Sequence, residues 1–145
     1  MKKPADPLLL ENQLCFALYS ASLQMTKLYK PLLAEIGLTY PQYLAMLALW
    51  EKDGVTVGSI GERLFLDSGT LTPLLKRLEA AKLVKRSRNG ADERQVLIQL
   101  TDKGRSLKKA ASGIPAQAAC AAGLPIDELA NIKKKLEKLR GNLTG

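Results

Sequence analysis

Histidine is missing from this chain, and cysteine occurs only twice, at Cys15 and Cys120. Without histidine no Ser-His-Asp or Cys-His nucleophile can be assembled, and a structural zinc site within one chain is short of ligands. No glycine-rich phosphate loop appears. Long apolar runs are lacking too: the leucines at 8–10 stop at Glu11, far short of a bilayer span. Lys2 and Lys3 have the charge of a leader peptide, but the apolar stretch and cleavage site of one do not follow. The absences point to a cytoplasmic, non-enzymatic protein with no cofactor, no metal and no membrane partner.

What is present is positive charge. The 145 residues hold 22 Lys and Arg against 14 Asp and Glu, a net charge of +8. The excess is localised: residues 76–109 carry eleven cations against four carboxylates, a net +7. A basic patch confined to one segment is the electrostatic footprint of nucleic-acid binding. The length suits one compact domain or one subunit of an assembly.

Most of the basic segment falls within Ser59–Thr101, which reads as helix, turn, helix and two-stranded ribbon. Ile60 and Leu64 are four apart, one face of a short helix within 55–66. Asp67-Ser68-Gly69 is turn chemistry with a helix cap. Leu71, Leu74, Leu75 and Leu78 then bury one stripe of a second helix. Its other face offers Ser68, Thr70, Thr72, Pro73, Lys76 and Arg77, suited to base edges and phosphates in a major groove. Pro73 would start a helix capped by Thr72; a longer helix from Ser68 with an irregular first turn is the reading preferred here. Residues 83–88 and 95–100 are strand-like, joined by a loop over 89–94. Lys85 and Arg86 face phosphates in this reading. Arg88 and Arg94 form a basic tip, with Asp92 placed to orient Arg94 for a narrow minor groove. The competing reading is a solvated hairpin with scattered charge.

The other segments are helical. Asp6 as cap and Pro7 as first residue open a long helix over 7–36, apolar on more than one face, which calls for a second copy of the chain. Residues 37–53 form a turn and a helix, with Tyr43 and Trp50 in the core. A helix starting at Asp102 is broken at Gly113-Ile114-Pro115 and again at Gly123-Leu124-Pro125. Ile126, Leu129, Ile132, Leu136, Leu139 and Leu143 stripe the last one. The fold class is mainly α with a small β-wing: a winged helix-turn-helix in an intertwined homodimer. Residues 1–36 and 102–145 supply the dimerisation helices, and 37–101 the DNA-binding region.

Asp92-Glu93-Arg94, the strand to Thr101 and Asp102-Lys103-Gly104 resemble the wing and following helix start of MarR-type regulators. The run Leu66–Lys76 is similar to the organic-hydroperoxide-sensing OhrR-type repressors among them. The resemblance implies operator DNA with a pseudo-palindrome as partner, and an organic hydroperoxide as oxidant. It implies that Cys15 is the sensing cysteine, that Tyr29 and Tyr40 donate hydrogen bonds to it, and that Cys120 of the other subunit closes a disulfide, as in the two-cysteine group. By its surroundings alone Cys15 reads as a small buried hydrophobe, two turns past the cap and disfavoured as a thiolate by Glu11. Cys120 likewise reads as a packing residue among alanines. Two alternatives stay open: a MarR-type repressor sensing a small apolar ligand, with structural cysteines, and a thiol peroxidase. Against the peroxidase stands the lack of an alternating strand–helix pattern.

Overall fold

Gln13 decides where the first helix begins. In this computed structural model, which describes residues 6–89 and 92–144 and the side chains of all of these but 89, 92 and 93, helix α1 spans Leu14–Ala34. The expected start at Asp6 and Pro7 is corrected by the local hydrogen bonds. The Gln13 amide donates to the carbonyls of Pro7 at 2.6 Å and Leu9 at 2.8 Å, so the Leu9 carbonyl is taken before an α-helical turn can use it. Residues Leu10–Asn12 close a single 3-10 turn instead. Asp6 caps neither: it accepts the Leu8 amide at 2.9 Å within the turn that precedes the 3-10 residues, and Leu9 stands at their start without a side-chain cap. At its other end α1 runs through Pro31 and stops short of Gly37, whose φ of +71° suits a residue without Cβ.

Helix α2, Tyr40–Glu51, opens on a reciprocal capping box. The Gln42 amide donates to the Thr39 hydroxyl at 3.4 Å, and the Thr39 amide to the Gln42 side chain at 3.0 Å. Val55–Thr56 form a short strand, β1, that the helical reading of 55–66 had absorbed; two β-branched residues in a row favour it. Helix α3, Val57–Leu64, follows, capped by the Thr56 hydroxyl. Phe65, at φ +57°, turns the chain into α4, Ser68–Ala80. Strands β2, Val84–Asn89, and β3, Asp92–Leu100, make the hairpin. All pairing is antiparallel in the order β1-β3-β2, with Val55 opposite Ile98 and Arg86 also opposite Ile98. Helix α5, Asp102–Ala111, completes this unit.

The core is the meeting of α2, α3, α4 and the sheet. Met46, Leu49, Ile60, Leu71, Leu75, Leu78, Val84 and Ile98 are fully buried in it. Each large side chain so buried contributes on the order of 1.5–3 kcal/mol relative to exposure. The leucine stripe expected of α4 is therefore the one that holds it.

A second unit comprises Ser112–Gly145. It holds α6, Ile114–Ala121, and α7, Ile126–Thr144, divided where Gly123 (φ +74°) and Pro125 were expected to break the chain. Within their own units α1 buries Leu33 alone, and α7 buries no residue. Leu14, Tyr19, Leu23 and Met25 on the one, and Ile132, Leu136 and Leu143 on the other, stand exposed. No helix among the described residues is long and apolar enough to cross a membrane.

Candidate nucleic-acid interface and thiol site

Asp67 fixes the start of α4. Its Oδ1 accepts the Thr70 amide at 2.8 Å, and the backbone and hydroxyl of Thr70 hold the carboxyl below the usual carboxylate range. The charge also lies at the favourable end of the helix dipole. The helix runs unbroken from Ser68 past Pro73, as the longer reading expected. With Leu71, Leu74, Leu75 and Leu78 inward, Ser68, Thr70, Pro73, Lys76 and Arg77 are exposed and Thr72 is half-buried. An exposed helix face of hydroxyls and two cations is the right shape and chemistry for a major groove.

The wing is longer than its sequence suggests. Strand β3 begins at Asp92, so Arg94 stands within a strand, and a bulge between Arg88 and Asn89 shifts the register toward the tip. Lys85, Arg88 and Arg94 are exposed. The Asp92 side chain, expected to orient Arg94, lies outside the described residues. Arg86 differs from its neighbours. It is half-buried, its Nε donates to Glu79 Oε1 at 3.1 Å and its backbone amide to Glu79 Oε2 at 3.3 Å. A cavity of about 330 Å³ separates α4 from the wing, lined by Thr56, Gly58, Thr72, Arg86, Arg94 and Gln95 among others.

At the base of the wing a polar clamp joins α2, β3 and α5. Asp53 Oδ1 accepts the amides of Leu100 and Gly54, both at 2.8 Å. Trp50 donates its indole N–H to the Gly104 carbonyl at 2.9 Å, and Arg105 reaches the Leu100 carbonyl at 3.0 Å. Gly104 is packed so tightly that a Cβ there would sit 2.1 Å from the Leu83 carbonyl oxygen. Sequence reasoning placed Trp50 in the core and missed the clamp.

Cys15 is the second residue of α1, not two turns inside it, and it is exposed. The orphan amides of a helix's first turn favour negative charge. Tyr29, near the far end of the same helix, packs on Tyr40 at 5.0 Å between ring centroids and on Tyr43 at 6.0 Å. Burial, and then the neighbouring Tyr29 phenol, push the Tyr40 phenol above its ordinary value; Tyr43 is raised by burial first, then by Tyr29 and Tyr40. The Tyr40 and Tyr43 phenols stay protonated and can donate. The structure thus brings Tyr29 and Tyr40 together, but Cys15 is fourteen residues from Tyr29 along one helix, roughly 21 Å at about 1.5 Å per residue. Cys120 is exposed in α6 of the second unit. Beside the tyrosines, Leu23, Lys27, Leu33, Leu38 and Pro41 help line a largely apolar cavity of about 550 Å³.

A helix-turn-helix whose second helix shows an exposed polar face, with a basic hairpin beside it, defines a winged-helix DNA-binding protein. The family model for the SarA/Rot transcriptional regulators matches residues 27–111, and the chain belongs to this MarR-like family of transcriptional regulators. It is 51% identical over 138 residues to the HTH-type transcriptional regulator TtmR of Methylorubrum extorquens (strain PA1), covering 95% of this chain and 71% of that protein. It is 56% identical over 115 residues to the organic hydroperoxide resistance transcriptional regulator of Bacillus subtilis (strain 168), covering 79% of this chain and 78% of that one. Among solved structures, reduced AbfR bound to DNA superposes with a TM-score of 0.79 at 42% identity, covering 94% of this chain and 95% of AbfR. The disulfide-formed state of AbfR gives 0.61 at 41% identity, over 93% and 90%.

Proposed function

We propose that this regulator is a repressor switched by organic hydroperoxide, which binds operator DNA when reduced and leaves it once Cys15 is oxidised. The observation that carries the reading is the division of one site between the ends of α1. The exposed thiol stands in the first turn, and the two tyrosine donors are assembled near the last. A second copy whose α1 runs antiparallel brings each thiol to the other copy's tyrosines, and covers apolar side chains that α1 leaves exposed. Likeness to a hydroperoxide resistance regulator, and to a protein solved both reduced on DNA and disulfide-formed, supports it.

The chemistry balances. The Cys15 thiolate attacks the distal peroxide oxygen, the O–O bond breaks, and the alkoxide leaves as alcohol with a proton. The sulfur is left as a sulfenic acid. The Cys120 thiol of the other subunit attacks that sulfur and expels water as the disulfide forms. A disulfide needs Cα atoms within about 7 Å, so closing it moves helices wherever they start further apart. In the proposed dimer α1 and residues 102–145 pair the copies, so such movement changes the spacing of the two α4 helices. Half-sites one duplex turn apart, about 34 Å, are sensitive to that spacing. A hundredfold loss of affinity needs the oxidised state to disfavour DNA by about 2.7 kcal/mol.

The apolar cavity beside Tyr40 favours a second reading, a repressor released by a small apolar ligand with both cysteines structural. A non-reducing gel tests the disulfide step. Peroxide-treated wild type should run as a covalent dimer, and Cys15→Ser or Cys120→Ser should abolish that band. Release of DNA without the band would remove Cys120 from the mechanism.

A further inference from the structure

We propose that Glu79 is a positioning residue for DNA recognition: it holds the wing at a fixed separation from α4 by gripping Arg86, which is therefore not a phosphate contact. This rests on the DNA-binding reading above.

Three observations carry it. One carboxylate takes both the backbone amide and the Nε of Arg86, at 3.3 and 3.1 Å. That amide belongs to β2, an edge strand of the sheet, so Glu79 occupies a donor that would otherwise face outward. Glu79 also stands in the last turn of α4, where an acid opposes the helix dipole, and in the segment of highest positive charge. An acid so placed disfavours both the helix end and DNA. The charge-assisted contacts to Arg86 are what it gains.

The consequence is geometric. Across the cavity lined by Thr72 of α4 and by Arg94 and Gln95 of β3, the helix and the hairpin face each other. Helix α4 addresses a major groove and the wing the minor groove beside it. Their separation must match the duplex.

The two roles open to Arg86 differ in sign. Removing an acid from a DNA-facing surface ordinarily strengthens binding, because a repulsion is lost. Positioning predicts the opposite for Glu79→Ala: affinity for a duplex selected by the wild-type protein from a random pool falls about fivefold or more. Binding to an unselected duplex of the same length stays equal or rises. Arg86→Ala should weaken the selected duplex with an unchanged salt slope, whereas loss of a phosphate contact lowers that slope by about 0.9. The exchanged pair Glu79→Arg with Arg86→Glu, of unchanged net charge, should bind better than either of its single substitutions. Thermal melting of the reduced proteins checks that each variant is folded. The proposal is overturned if Glu79→Ala binds the selected duplex as well as wild type or better, if Arg86→Ala lowers the slope, or if the exchanged pair gains nothing. A wild-type protein that selects no duplex would instead sink the DNA-binding reading.

Discussion

Tyr29 on α1 and Tyr40 on α2 bring their rings to 5.0 Å between centroids, with the planes at 55°. The contact ties the end of the long helix to the capped start of the next one, and it gathers two phenol donors at one place. In the proposed dimer that place meets the partner's thiol. Tyr29→Phe and Tyr40→Phe each remove one donor with little change in volume. Each should slow Cys15 oxidation by roughly tenfold, the order expected for one lost hydrogen bond to a charged group. The decay of free thiol under a fixed dose of organic hydroperoxide measures it. Equal rates in wild type and both variants would make the tyrosines packing residues only.

Arg94→Ala should weaken DNA binding by about 1–3 kcal/mol while leaving the protein folded, because it removes a cation from an exposed strand of the wing. Fluorescence anisotropy at several salt concentrations reads this. Unchanged affinity throughout would discard the wing as a DNA contact.

Gly104→Ala should destabilise the fold by about 1–3 kcal/mol, since the added methyl collides with the Leu83 carbonyl, a backbone atom that cannot swing aside. The urea midpoint should drop. An unchanged midpoint would mean that the base of the wing yields more easily than its packing indicates.

The start of α4 should be sensitive to acid. The Thr70 amide holds the Asp67 carboxyl below its ordinary range, so its contribution is present above that range and is lost as pH falls through the folded value. Asp67→Asn keeps a capping oxygen without the titration. The melting temperature of the variant should fall less steeply between neutral and acid pH than that of wild type. Parallel curves would contradict the cap.

Local patterns were readable in the sequence where one element determines itself. The leucine stripe of α4, the Asp67 cap, the breaks at Gly113 and Gly123 and the basic hairpin all rest on neighbours within a few residues. What escaped depended on contacts between distant residues, or on one side chain outcompeting the backbone. Strand β1 exists because β3 passes beside it. The start of α1 was misplaced because the Gln13 amide takes carbonyls that the helix would use. That error put Cys15 two turns inside the helix when it sits in the first. The ion pair of Arg86 escaped because its partner, Glu79, lies in another element. The Asp53 clamp spans 47 residues to Leu100 and leaves no periodic trace.

The redox switch is tested most directly by a DNA-shift titration of wild type and Cys15→Ser, each first reduced and then treated with an organic hydroperoxide. Serine keeps the size of the side chain and offers no sulfur to oxidise. Both proteins should bind alike when reduced. Peroxide should release wild type, restored by added thiol once the oxidation is a disulfide, and should leave Cys15→Ser bound at every dose. Release of Cys15→Ser by peroxide would contradict the account and pass the function to the apolar cavity beside Tyr40.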